Sequence, residues 1–320
     1  MFRHLAWVML LIPHAVLPQT PGTARELASQ GWEAFESNRL SEAEQLLSQA
    51  VKLDAKEPDY QAALGAVLAK QGKWSESSEC WKKAVQLSPR NTEFRLQLAR
   101  AYQASDRDLE ALSALELSDI PDPFQKQWVF TRAFSLFRIG RYPAAQKDFE
   151  SLRSDPAFSA PANFFLGNLF FAQDQFKQAA DYFGQALRDG DRPDNRAFNA
   201  YAYDYGLALY HLRDFNAAAA AFQKSIDRYP NDPLPWLWLG RSKQELGAYT
   251  EAIADLEESI RIRPDFRASY FQLARLHYQY GNKKRAAELF AKVNQMKQSE
   301  RAADERAAAQ PKLGGSHATP

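Results

Sequence analysis

Cysteine is almost absent: Cys80 is the only one in 320 residues. An intrachain disulfide framework, a four-cysteine zinc site and a CxxC redox pair are therefore excluded. Glycine is sparse at 14 residues, which disfavours a sheet protein built on glycine turns. Charge of one sign is missing too: 40 Lys and Arg face 39 Asp and Glu, a formal charge of +1. That balance argues against a nucleic-acid binder or a ligand of acidic membranes, both of which need excess positive charge. No apolar run approaches the roughly 20 residues that span a bilayer. The hydrophobic share is 45% and the charged share 25%, which is globular composition rather than the signature of disorder. What the chain has in abundance is aromatic: 21 Phe, 13 Tyr and 7 Trp. Few glycines and many rings predict a helical, aromatic-packed chain. A typical domain of about 150 residues would divide this length into two.

The start reads as a secretory signal peptide over residues 1–23. Arg3 and His4 precede an apolar run from Leu5 to Ile12, and Pro13 breaks it ahead of a non-helical stretch to Pro21. Neither Ala15 nor Ala24 defines a clear cleavage point. No cysteine lies near the run, so lipid attachment has no acceptor. The expectation is an exported chain, periplasmic or extracellular.

From Ala24 onward the chain repeats. Gly31, Gly65, Ala99, Ala133 and Gly167 stand 34 residues apart; Gly206 follows after 39, then Gly240 and Ala274 after 34 each. Twelve residues on from each are Ala43, Ser77, Ala111, Ala145, Ala179, Ala218, Ala252 and Ala286. Sixteen on are Leu47, Trp81, Leu115, Phe149, Phe183, Phe222, Leu256 and Phe290, all large and apolar. Nineteen on, small residues prevail, among them Ala50, Ala84, Ser118 and Ala186, with Leu152 an exception. Small residues let two helix backbones approach, and a large one fills the gap beside them. Ala179, Phe183 and Ala186 are spaced by four and three, which is one helix face. Proline at Pro89, Pro123, Pro230 and Pro264 ends or restarts a helix. Turn formers lie midway: Asn38, Gly72, Asp106, Gly140, Asp174, Gly247 and Gly281, with Arg213 out of character. Each period is thus a hairpin of two helices of about 12 to 14 residues, and eight must stack to bury a common core.

This pattern resembles the tetratricopeptide repeat family, a 34-residue helix–turn–helix. The seventh repeat matches best, with Trp236, Leu239, Gly240, Gly247, Tyr249, Ala252, Leu256, Ser259 and Pro264. The second offers Leu64, Gly65, Gly72, Trp74, Trp81, Ala84 and Pro89, and the fifth Leu166, Gly167, Phe170, Phe176, Ala179, Phe183 and Ala186. Lys243 stands where the family usually has Tyr, and Arg132 where it has Leu. The resemblance spans about residues 24 to 297. It implies an all-α fold, a right-handed α/α superhelical solenoid of tandem hairpins.

The phase slips once, by five residues, at Asp189-Gly190-Asp191-Arg192-Pro193-Asp194. Its spacing does not fit a helix-flanked calcium loop, so an ordinary inter-repeat loop over 189–194 is expected. Five hairpins precede it, over 24–188, and three follow, over 195–297. A polar helix over 298–310 is expected to cap the array, followed by a disordered tail over 311–320.

No catalytic motif stands out, and no cofactor or metal is expected. HExxH, GxSxG and glycine-rich phosphate loops are missing. His4, His14 and His317 lie in the start and tail, and His211 and His277 are two repeats apart. Cys80 adjoins Trp81 on an apolar helix face, where a thiol is inert. Eight repeats leave no room for a separate enzymatic domain, so the chain is expected not to be an enzyme.

Surface recognition remains. In the family, the first helices line a concave groove through their second, fifth, ninth, twelfth and thirteenth positions. The resemblance carries these onto Phe130, Phe134, Phe137 and Arg138 in the fourth repeat, and Phe164, Asn168 and Phe171 in the fifth. It adds Tyr203, Tyr210 and His211 in the sixth, Leu237, Arg241 and Gln244 in the seventh, and Phe271, Arg275 and Tyr278 in the eighth. Aromatic groups with polar tips suit recognition because they bury much area with few rotatable bonds. The family's carboxylate clamp needs Lys and Asn at the fifth and ninth positions. Here Phe164 and Asn168 occupy them, so that role is in doubt. The expectation is a non-catalytic protein–protein scaffold with a peptide or protein partner, with no nucleic acid and a possible peripheral place in an envelope complex. The alternatives are an oligomerising spacer and a glycan-binding or glycan-acting groove.

Overall fold

The computed structural model describes residues 22–116, 120–192 and 194–309. The signal-like start, the tail, Ser118 and Pro193 lie outside the described residues. Among the described residues the chain forms sixteen helices and no strand. In order these are α1 (Gly22–Glu36), α2 (Leu40–Leu53), α3 (Pro58–Lys70), α4 (Trp74–Leu87), α5 (Thr92–Ala104), α6 (Asp108–Ala114), α7 (Asp122–Arg138) and α8 (Tyr142–Leu152). There follow α9 (Ser159–Phe171), α10 (Phe176–Asp189), α11 (Phe198–His211), α12 (Phe215–Arg228), α13 (Pro233–Glu245), α14 (Tyr249–Ile262), α15 (Arg267–Gln279) and α16 (Lys283–Ala309). The chain divides into two compact units, up to Leu169 and from Phe170, and the division falls inside α9 rather than at 189–194. Within each unit a helix packs on its predecessor and its successor, as α1 on α2 and α2 on α3, or α13 on α14 and α14 on α15.

Three helices depart furthest from the expected length. α6 has 7 residues and α7 has 17. α7 takes Pro121 as its N-cap and begins four residues ahead of the 34-residue register, because proline presets the first turn. α16 runs unbroken for 27 residues, so residues 298–309 continue the last hairpin rather than forming a separate capping helix. The physical reason is the lack of any Gly or Pro between Lys283 and Ala309.

One turn design joins the two helices of every hairpin. Asn38, Gly72, Asp106, Gly140, Asp174, Arg213, Gly247 and Gly281 all have φ between 57° and 78°. The next residue donates its N–H back five residues, as Lys73 to the Leu68 carbonyl (2.9 Å), which is the Schellman pattern. The same residue's carbonyl then accepts the first bond of the following helix, as Lys73 from Ser77 (2.9 Å). One residue thus ends one helix and begins the next, which leaves a connection of only three residues, or four between α9 and α10. Arg213 is the member with a full side chain and no local carbonyl or carboxylate to favour that backbone. It is held over the Phe215 ring at 5.4 Å. Replacing it with glycine removes a left-handed cost of about 1–2 kcal/mol and loses that contact and some unfolded-state entropy. The expected net gain is about 0.5–1 kcal/mol in urea denaturation; a loss would show that the ring contact dominates.

The core is the register made physical. The residues twelve on, from Ala43 to Ala286, are all essentially solvent-free. A β-carbon added to Gly206 would lie 2.6 Å from Phe222, on Gly65 2.9 Å from Trp81, and on Gly240 2.9 Å from Leu256. Each large residue therefore lies directly on the small one sixteen positions earlier. The two departures from the family pattern are paired charges. Arg132 makes a two-pronged bond to Asp148 (2.7 Å for both), and Lys243 pairs with Asp255 at 2.9 Å. Both acids stand at the same register position of the following helix.

Candidate functional site

The aromatic residues expected on the groove separate into two groups. In the unit up to Leu169, Phe165 on α9 gathers Phe130 (6.0 Å), Phe134 (5.2 Å), Phe137 (5.5 Å) and Phe149 (5.2 Å) around itself. Phe164 is buried at 3% exposure. Phe149 and Phe165 are buried, Phe130, Phe134 and Phe137 are half-buried against them, and Phe164 is withdrawn from any ligand, contrary to the groove expectation for that residue. Phe165 was missed because it stands one position after the fifth; the aromatic pairs flanking it were the available signal. Arg138 is also committed internally. It pairs with Asp106 (2.5 Å) and Asp108 (3.1 Å) and donates to the Gln103 carbonyl (2.7 Å). Asn168 donates to its own helix, to the Phe164 carbonyl at 2.9 Å.

The unit from Phe170 presents a different surface. Phe171 meets Phe176 at 5.3 Å, and exposed His211 lies flat on Phe176 with 4.4 Å between ring centres. Along α11 and α13, Tyr210 stands edge-on to Trp238 at 5.1 Å. The Arg241 guanidinium lies 4.0 Å above Trp238 and 5.2 Å from Tyr210. Its Nε is buried and finds no acceptor among the described residues. Spacing explains the juxtaposition: Trp238 and Arg241 are three apart on α13, hence one face. Trp238 is the contributor that the carried-over positions missed.

Polar groups extend this face. Gln272 donates to Gln244 (2.6 Å) and Gln244 to Gln279 (2.9 Å), which ties α13 to α15. Tyr203 packs near Phe222 at 5.9 Å, and burial pushes its phenol up to about 12. The neighbouring Asp204 carboxyl is desolvated by burial and pushed up to about 7. Leu237 is buried, whereas Phe271 and Tyr278 are exposed. Arg275 makes no ion pair among the described residues. Burial raises the Cys80 thiol above its usual range, in keeping with an unreactive side chain. Among the described residues no cluster of three or more His, Cys, Asp or Glu could hold a metal, and no helix is long and apolar enough to cross a membrane.

Tandem Schellman-turned hairpins with a small–large core register define an α/α helical-repeat protein. Tetratricopeptide repeat profiles match residues 29–77, 130–191, 166–233, 67–106 and 243–309, and the chain belongs to that family. Among curated proteins it is similar to the peroxisomal targeting signal receptor of Kluyveromyces lactis, at 24% identity over 234 residues, 70% of this chain and 39% of the receptor. It also resembles the human protein O-mannosyl-transferase TMTC1, at 22% identity over 67% of this chain and 24% of that protein. The chain thus spans about two-fifths or less of these relatives. Its fold matches a tetratricopeptide repeat protein of Parabacteroides merdae, with TM-score 0.59, 16% identity and coverage of 80% of this chain and 99% of that one. It matches a chain of the APC/C hetero-tetramer Cut9–Hcn1 with TM-score 0.58 and 18% identity, covering 79% of this chain and 48% of that one.

Proposed function

We propose that this protein is a non-catalytic scaffold that holds an extended peptide or partner segment against the first helices α11 and α13. The observation that carries the reading is Arg241, a cation stacked on Trp238 and Tyr210 with a buried N–H that has no acceptor among the described residues. An unsatisfied buried donor costs about 1–3 kcal/mol, and a ligand carbonyl or carboxylate would recover it. The preorganised aromatic stack means little side-chain entropy is lost on binding. The receptors that the chain resembles are named for a targeting signal, and a peptide ligand is the counterpart proposed here. The glycan alternative is weaker, since Phe130, Phe134 and Phe137 commit part of their ring surface to Phe165 and none forms an open flat platform with a neighbour among the described residues. A setting outside the cytoplasm, with peripheral attachment to an envelope complex, belongs to the same proposal. It rests on the apolar run Leu5 to Ile12, and cell fractionation with a reporter fused after residue 23 tests it.

The chain is to be screened on a peptide array, and the best binder titrated by calorimetry. Arg241→Ala and Tyr210→Ala are each expected to weaken it at least about tenfold, roughly 1.4 kcal/mol, with the helical circular dichroism unchanged. Unaltered affinity in both variants would overturn the assignment of the site.

A further inference from the structure

The last hairpin ends on an open apolar face. One repeat earlier, the counterparts of Phe271 and Phe290 are Leu237 at 6% and Leu256 at 0% exposure, both sealed by α15 in one core cluster. Phe271 is 46% exposed and Tyr278 60%. Phe271 and Phe290 meet edge to face at 5.9 Å. Beside them Arg275, Tyr278, Gln279 and Phe290 line a recess of about 440 Å³. No helix among the described residues covers it, because α16 runs on as one unbroken helix to Ala309.

The unpaired charges on this face have one sign; the nearby carboxylate Glu300 is taken up by Arg267 at 3.0 Å. On α15 its stripe reads Ala268, Phe271, Arg275, Tyr278, and on α16 Lys283, Ala287, Phe290, Asn294, Lys297. Neither stripe holds a carboxylate, and Arg275, Lys283 and Lys297 make no ion pair among the described residues. The opposite end of the array differs. The positions of α3 that seat on the preceding hairpin are Tyr60, Leu64 and Val67, all buried; their counterparts on α1 are Glu26, Gln30 and Glu33, all exposed. One end is polar and the other apolar with a basic rim. A second copy would bring Glu26, Gln30 and Glu33 of α1 against Phe271 and Phe290, and among the described residues these α1 positions offer no apolar side chain to seat there, so end-to-end stacking is disfavoured.

We propose that the α15–α16 end face docks an amphipathic helix of a partner protein, with an apolar stripe on Phe271, Tyr278 and Phe290 and flanking acidic residues toward Arg275, Lys283 and Lys297. The partner helix takes the place a ninth first helix would fill, so its anchors recur at three- and four-residue spacing. The site is separate from the Tyr210–Trp238–Arg241 stack, and either can fail alone.

The test uses the full chain and two labelled synthetic helical peptides with the same leucine stripe, one flanked by glutamates and the other by lysines. In fluorescence anisotropy the acidic peptide should saturate, and the basic one should bind at least about tenfold more weakly. Phe271→Ser and Arg275→Glu should each cost the acidic peptide at least about tenfold, with an unchanged thermal midpoint because both residues are exposed. Leu109→Ser, at an exposed site on α6, should change nothing. Equal affinity for the two peptides, no saturation by about 1 mM, or indifference to both end-face variants would overturn the proposal. So would self-association in sedimentation that Phe271→Ser abolishes, which would make a second copy the occupant. Tighter peptide binding after deletion of residues 310–320 would do the same by making the chain's own segment the occupant.

Discussion

Asp204→Asn is expected to stabilise the protein at pH 8 by about 1–3 kcal/mol and to leave it unchanged at pH 4 and below. The Asp204 carboxyl titrates at about 7 in the fold against an ordinary value of 3.8, and burial is the cause. Between those values the folded chain holds a proton that the unfolded chain has released. Stability therefore falls as pH rises from about 4 to about 7 and stays at the lower level above that. A shift of this size corresponds to about 4 kcal/mol at most, and the partial solvent access of the residue reduces it. Asparagine keeps the shape and carries no charge, so the advantage of the variant grows through the same window and levels off near pH 7. Urea denaturation of both proteins from pH 4 to 8 measures the difference. A constant difference across that range would remove the buried carboxylate as the cause.

Phe222→Ala is expected to cost about 3–5 kcal/mol. Phe222 is entirely enclosed, lies on Gly206, stacks near Trp238 at 6.3 Å and meets Tyr203 at 5.9 Å. Truncation opens a cavity that Gly206 has no side chain to fill. Interactions in a repeat array are between neighbours, so the damage should be local. Hydrogen exchange should rise in α11, α12 and α13 and stay unchanged in α1 to α5. A double replacement sharpens the test. Gly206→Ala alone overpacks Phe222 and costs about 1–3 kcal/mol. Combined with Phe222→Leu it recreates the Ala99 and Leu115 pair of the third repeat, so the double variant should lose less than the sum of the two single changes. Strict additivity would show that the two positions do not form one packing unit.

Much of the fold was legible because the repeat states the same constraint eight times. The positions of Ala43 through Ala286 named the buried helix contacts, and Asn38 through Gly281 named the left-handed turns. Even Arg213, the residue out of character, proved to share the backbone of its seven counterparts. The register also held the ion pairs of Arg132 and Lys243, since Asp148 and Asp255 stand at one common position; that signal was present and unread. The groove was less legible. Phe130, Phe164 and Tyr210 are all aromatic at carried-over first-helix positions, yet Phe164 is core and Tyr210 stacks beneath an arginine. Helical spacing names a face but not what lies opposite it.

By itself the sequence determined the period, the small–large core register, the turn positions and the family, because each follows from local backbone geometry and from a pattern that neighbouring repeats must share. Only the tertiary structure decided which rings close on Phe165 and, among the described residues, that the Nε of Arg241 is left without an acceptor and that no helix covers the last hairpin. Those outcomes depend on what packs across from each side chain, and a linear pattern does not contain the opposite surface.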